Sequence, residues 1–172
     1  MRDLLDERLH ARRRAAARAR LAAADPSTIL FVCLGNICRS PYAARVLAAR
    51  SPNGVRGDSS GYLGPGRHPP SEALEIARSR GIDHADHVSK LTTAEMLETS
   101  EAIFVFDRMN VANLRKSPGT HLTRVYWLGD FDPEWAGKRA ILDPWGKPLD
   151  EYRATFVRIE RCMDEVVRVL KG

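Results

Sequence analysis

The 172-residue sequence predicts an α/β domain built on a central parallel sheet with helices on both faces. Three observations carry that prediction. The segments 29–32 and 102–106 are near-continuous apolar runs rather than alternating ones, the pattern of strands buried on both faces, and 122–128 reads as a third long strand. Helical patterns alternate with these runs along the chain. Gly- and Pro-rich turns separate the two kinds of segment. In such a sheet ligands bind beyond the carboxyl ends of the strands, so the loops that follow strands are where chemistry is expected.

Residues 2–24 are mostly Ala, Arg and Leu, all strong helix formers. Leu5, Leu9, Ala16 and Leu21 give only a weak apolar stripe, so a solvated or loosely docked extension is expected over 1–27, ahead of a single domain over 28–172. Asp3, Asp6 and Glu7 early and Arg late suit the helix dipole. Asp25-Pro26-Ser27 breaks the helix. Thr28–Cys33 reads as the first strand and Pro41–Arg50 as the helix after it. A turn at Ser51-Pro52-Asn53-Gly54 leads to a short strand near Val55–Ser59, then a Gly/Pro-rich loop to Pro70. Ser71 is placed to cap a helix through Arg80, with Gly81 ending it. Thr92 with Glu95 suggests a capping box for a short helix to Thr99. Ala102–Phe106 is the next strand, and Asp107 caps a helix through Lys116 that Ser117-Pro118-Gly119 breaks. Leu122–Leu128 reads as a further long strand, and Gly129–Pro148 as irregular. In Leu149–Leu170, Tyr152, Phe156, Ile159, Met163 and Val166 recur at helical spacing.

Composition narrows the class. There is no run of 18 apolar residues to span a membrane and no apolar signal core. Arg12-Arg13-Arg14 is followed by more Ala and Arg, which argues against an export signal. Three cysteines, an odd number with no signal, point to reduced thiols and a cytoplasmic location. Cys162 falls in a helical pattern and reads as a small buried apolar side chain. The net charge is +5, of which residues 1–27 supply +3 through seven arginines against Asp3, Asp6, Glu7 and Asp25. No aromatic residues interleave with that basic arm, so no nucleic-acid partner is expected.

The chain is organised around Thr28–Pro41, TILFVCLGNICRSP. Five residues, Leu34, Gly35, Asn36, Ile37 and Cys38, separate Cys33 from Arg39. A loop of that length between strand and helix can turn successive backbone N–H groups inward as an anion cradle. The helix N-terminus adds its positive end at the same point. Gly35 permits close backbone approach, Asn36 tolerates the left-handed region, and Pro41 suits the first helical turn. A helix N-terminus and a neighbouring cation also favour the thiolate, the nucleophilic form of cysteine. The planar fork of Arg39 matches two phosphate oxygens.

The segment C-L-G-N-I-C-R-S-P after a buried strand resembles the signature of the low-molecular-weight protein tyrosine phosphatases. Asp143-Pro144-Trp145 and His87-Val88-Ser89-Lys90 extend the resemblance from about Thr28 to the C-terminus. It implies a flavodoxin-like three-layer sandwich with a four-stranded parallel sheet. It implies Cys33 as nucleophile, Arg39 and the loop amides as phosphate clamp, and Asp143 as the acid that protonates the leaving oxygen. Ser40 would hydrogen-bond the thiolate, and Asn36, Ser59 and His87 would hold the loop. Asp107, read here as a helix cap, also matches an acidic position near that loop. No metal or cofactor is implied. The implied partner is a phosphotyrosyl protein, a tyrosine kinase being one such substrate.

Two places depart from the family pattern. The loop 59–67 is short and Gly-rich, leaving Tyr62 as the candidate aromatic wall of the substrate cleft. After Asp143-Pro144 a single aromatic, Trp145, precedes Gly146 and is the second candidate wall. Asp130 and Asp132 compete with Asp143 for the acid role, and His68 and His84 take none. Cys38 could pair with Cys33 on oxidation. The competing functions are a thiol-dependent arsenate reductase, for which only Cys162 remains as an extra thiol, and a non-catalytic phosphotyrosine-binding module, which would have no use for Asp143.

Overall fold

In the computed structural model, which describes residues 2–51 and 54–172 with side chains from Leu5 onward, four strands form one parallel sheet. They are β1 (Thr28–Val32), β2 (Arg56–Ser60), β3 (Ala102–Val105) and β4 (Val125–Trp127), in the order β2-β1-β3-β4. Of the turn expected at 51–54, Pro52 and Asn53 lie outside the described residues. Successive side chains of a strand point to opposite faces. Accordingly Ile29 and Phe31 join a large core with α2 (Arg39–Arg50) and α6 (Leu149–Leu170), onto which α3 (Ser71–Ser79) packs. Leu30 and Val32 join a smaller core with Leu97 of α4 (Ala94–Thr99) and Leu114 of α5 (Arg108–Lys116). Both faces are covered, as the continuous apolar runs require.

The chain leaves β1 for β2 on one side, then crosses to β3 on the other. The strand order therefore reverses at β1, and the crevice this creates opens beyond the carboxyl ends of β1 and β3. Cys33 and Asp107 follow those two ends.

The N-terminal helix α1 (Arg2–Ala24) is docked rather than solvated. Leu21 is fully buried and His10 and Ala17 are nearly so, whereas Leu5 and Leu9 of the expected stripe face solvent. His10 Nε2 donates to the carbonyl of Asp132 at 2.8 Å, and its ring lies 5.2 Å from that of Trp135. Arg14 and Arg18 ion-pair with Glu165 at 3.0 and 2.9 Å, while Arg20 donates to the carbonyls of Thr123 and Val125 and covers the Tyr126 ring at 4.4 Å. Long arginine stems thus bury apolar length while their heads find partners.

Three local expectations are corrected. β4 is only three residues long, because it pairs with β3 alone over Ile103, Phe104 and Val105, and 3-10 turns flank it at Leu122–Arg124 and Leu128–Phe131. Thr93, not Thr92, caps α4 by accepting from the Met96 N–H at 3.2 Å; the Thr92 hydroxyl donates instead to the Gly61 carbonyl. α3 starts after Pro70 with no side-chain cap, and the Ser71 hydroxyl turns to Glu72. Asp107 caps α5 as expected, in a reciprocal box with Asn110.

Candidate active site

β1 ends at Val32 and α2 begins at Arg39, so residues 33–38 must turn the chain within one short loop. Asn36 makes the turn at φ 52°, a left-handed conformation that Asn tolerates. Its side chain then ties the loop to three neighbours. Nδ2 donates to the hydroxyls of Ser40 and Ser59, both at 2.9 Å, and Oδ1 accepts from the Lys90 N–H at 2.9 Å. The Asn36 carbonyl accepts from His87 Nε2 at 2.7 Å. Burial lowers the His87 pKa, partly opposed by that bond. The segment just past β2 fits closely: a Cβ on Gly61 would lie 2.8 Å from the Leu34 carbonyl oxygen, so only glycine lets the 61–63 backbone approach here.

Cys33 sits at the strand end, 2 % exposed, with Sγ 3.0 Å from the Ser40 hydroxyl and 3.2 Å from the Asn36 amide nitrogen, which donates to it. Among the described residues, the N–H groups of Leu34, Gly35, Ile37 and Cys38 find no acceptor, and they lie at the N-terminus of α2. That is a set of donors suited to an anion. Burial pushes the Cys38 thiol up, and Asp143 and Cys33 add to the effect, so Cys38 stays protonated.

Arg39 is 1 % exposed, yet charged. Burial works against its charge, but Cys33, Asp143 and Asp107 outweigh that penalty and raise its pKa. One guanidinium nitrogen donates to Asp107 Oδ2 at 2.6 Å and to the Ile141 carbonyl at 3.0 Å. The other donates to Asp143 Oδ2 at 2.6 Å. The segment that carries Asp143 is anchored by the Ile141 N–H, which donates to the Phe106 carbonyl just past β3 at 2.8 Å. Asp143 Oδ1 accepts the Trp145 N–H at 3.2 Å, the Asp-Pro-Trp turn holding its own carboxylate. Asp107 and Ile141 thus border Arg39; the resemblance pointed to the first beyond its cap role, and no sequence signal marks the second.

A cleft of about 120 Å³ opens over the loop, with Cys33, Gly35, Ile37 and Cys38 against Leu63, Arg67, Asp143 and Trp145. Trp145 stands at its edge, 64 % exposed. Tyr62 does not line it: the ring packs in the smaller core and its hydroxyl meets Ser117 at 3.1 Å, so the next residue, Leu63, forms that wall. Arg67, which sequence reasoning passed over, braces the mouth by donating to the Gly35 carbonyl at 2.7 Å and the Leu63 carbonyl at 2.9 Å. Its only signal is its place after the Gly64-Pro65-Gly66 turn. The rival carboxylates are engaged elsewhere. Asp130 takes both forks of Arg139 at 2.7 and 2.6 Å, and the fully buried Asp132 takes Arg158 and Arg161. Cys162 is buried in α6 and away from the cleft lining, and burial pushes its thiol up.

The sequence and the fold have known counterparts. The sequence model of the Low molecular weight phosphotyrosine protein phosphatase family matches residues 28–172. The chain is 30% identical over 140 residues to the low molecular weight protein-tyrosine-phosphatase Etp of Escherichia coli (strain K12), covering 81% of this chain and 91% of that one. The crystal structure of the Erwinia amylovora tyrosine phosphatase amsI superposes with a TM-score of 0.76 at 27% identity, over 86% of this chain and 95% of that one. The YwlE arginine phosphatase from Geobacillus stearothermophilus superposes with a TM-score of 0.71 at 28% identity, over 84% and 92%.

Proposed function

Because the chain belongs to the low molecular weight phosphotyrosine protein phosphatase family, we propose that it hydrolyses phosphotyrosine in proteins through a cysteinyl-phosphate intermediate. The observation that carries this reading is convergence: Arg39 and Asp143, 104 positions apart, meet at 2.6 Å beside the cleft that holds Cys33. The thiolate of Cys33 attacks phosphorus, forming the S–P bond as the bond to the phenolic oxygen breaks. Asp143 gives that oxygen its proton. The free loop amides and Arg39 stabilise the charge on the equatorial oxygens, the main source of catalysis in phosphoryl transfer. Water then attacks phosphorus, Asp143 takes its proton, and the S–P bond breaks with Ser40 hydrogen-bonded to the departing sulfur. Asn36, Ser59 and His87 hold the loop.

The cleft favours an aryl group. Leu63, Ile37 and Trp145 offer apolar surface for a phenyl ring, whereas the guanidinium of a phosphoarginine would meet Arg67 at the mouth. We assign catalysis to residues 28–172 and an accessory role to 1–27. A phosphotyrosyl protein is the substrate, with a tyrosine kinase carrying its own phosphotyrosines the first partner to examine. Three unpaired cysteines support a reducing, cytoplasmic setting. No helix among the described residues is long and apolar enough to cross a membrane.

The test is hydrolysis of p-nitrophenyl phosphate, a phosphotyrosyl peptide and a phosphoarginyl peptide by wild type and Cys33→Ser. Wild type should turn over the first two in preference to the third, and Cys33→Ser none of them. Turnover retained in Cys33→Ser would remove the covalent mechanism, and preference for phosphoarginine would replace the substrate.

A further inference from the structure

A second, larger concavity of about 700 Å³ adjoins the catalytic cleft and shares Leu34 and Asp143 with it. Its volume is in the range of ligand sites. Three parts of the chain build it: α1 contributes Asp6 and Arg13, the start of α5 contributes Arg108, and the irregular segment before Asp143 contributes Trp135 and Lys138. The wall between α1 and that segment is fixed by His10, bonded to the Asp132 carbonyl and set against the Trp135 ring.

The charge of the groove is uneven in a useful way. Asp107 and Asp143 also border it, but both are bound to Arg39. Arg139 is consumed by Asp130 and lies over the Trp127 ring at 4.3 Å. That leaves Arg13, Arg108 and Lys138, all exposed, and none of the three makes an ion pair among the described residues. Asp6 alone opposes them. Three unpaired cations around a groove with two indole rings, open to the catalytic cleft, complement an extended chain with acidic side chains.

We propose that this groove binds an acidic segment flanking the phosphorylated residue of the substrate, with Arg13, Arg108 and Lys138 as its cationic contacts. The N-terminal helix is then a specificity element, supplying one contact itself and fixing the wall that carries another. The proposal rests on the phosphatase reading, and p-nitrophenyl phosphate, too short to extend from the cleft into the groove, separates the two.

The experiment compares two phosphotyrosyl peptides that differ only in Glu or Gln at the flanking positions, with wild type, Arg13→Glu, Lys138→Glu and the double variant, at two salt concentrations. Exposed ion pairs are each worth little, so reversing two charges is needed for a clear signal. Wild type should prefer the Glu peptide through KM, by roughly tenfold at low salt and less at high salt. The double variant should lose or invert that preference while kcat, p-nitrophenyl phosphate turnover and the melting temperature hold. Equal kcat/KM for the two peptides in wild type overturns the proposal, and so does a Glu preference that survives in the double variant. Failure to hydrolyse p-nitrophenyl phosphate at all would instead bring down the catalytic reading, and the groove's role with it.

Discussion

Replacing Asn36 by Ala removes three side-chain hydrogen bonds, to Ser40, Ser59 and the Lys90 amide, from a position with no solvent exposure. Each buried bond contributes about 1 kcal/mol net, and more where it leaves a partner unsatisfied. Ala at φ 52° adds about 1–2 kcal/mol of left-handed strain that Asn largely escapes. The total, about 4–5 kcal/mol, corresponds to a fall in melting temperature of roughly 10–15 °C for a chain of this size. Asn36→Gly loses the same bonds but not the backbone term, so it should be about 1 kcal/mol less destabilised. Because the Ser40 hydroxyl that Asn36 orients lies 3.0 Å from Cys33 Sγ, kcat should fall at least about tenfold in both variants. Urea unfolding and p-nitrophenyl phosphate kinetics read the two effects separately. The reasoning fails if Asn36→Ala unfolds within about 1 kcal/mol of wild type, or if Gly is no milder than Ala.

Asp143→Ala should slow hydrolysis of phenyl phosphate by about 100-fold or more and of p-nitrophenyl phosphate by less, since a nitrophenolate leaves without a proton; equal losses would take the acid role from Asp143. His84 lies with both ring nitrogens unpartnered between Tyr42 and Phe156, and burial, with His87 and Arg45, holds its pKa down to about 4. The unfolded histidine takes its proton near pH 6.5 and the folded one only near 4, so the unfolded state binds more protons between those values and stability falls as pH drops through that window, by up to about 3 kcal/mol. His84→Phe should flatten that loss in urea unfolding between pH 7.5 and 4.5; an unchanged acid limb would place it elsewhere. Removing Arg14 and Arg18 together leaves Glu165, 1 % exposed, with Arg168 alone, and should cost about 3 kcal/mol, more than Glu165→Leu, which frees both arginines to reach water. The reverse order of melting temperatures would show that the carboxylate, and not its isolation, matters.

The loop of the candidate site was legible in the sequence because its parts are local. Cys33, Asn36, Arg39 and Ser40 lie within one strand-loop-helix turn, so spacing brings Cys33 and Arg39 to one loop and the resemblance adds Asn36 and Ser40. Asp143 was legible only through its Pro-Trp neighbours, and what binds it into the site, Ile141 pairing with Phe106, is a long-range backbone bond with no residue signature. Tyr62 shows how narrow the margin is. Tyr62 and Leu63 both donate their N–H to the Leu34 carbonyl, yet a shift of one residue decides which side chain faces the cleft and which the core. The docked face of α1 shows only faintly in the sequence, through Leu21, because the rest of it is written in His10, Ala17 and arginine stems rather than in a leucine stripe. The one indirect sign was Glu165, an acidic residue amid the buried side of α6 next to Val166.

The partners of α1 also set a chronology. The hydrogen-bond and ion-pair partners of its side chains among the described residues are Thr123, Val125, Asp132 and Glu165, between 103 and 151 positions further along the chain. On the ribosome the helix is made before these partners, and they become available only once most of the chain that follows has emerged. Through that interval the residues that later meet water-free surface must stay soluble on their own, and a helix rich in arginine, with one fully buried leucine among its described side chains, is a composition that can wait.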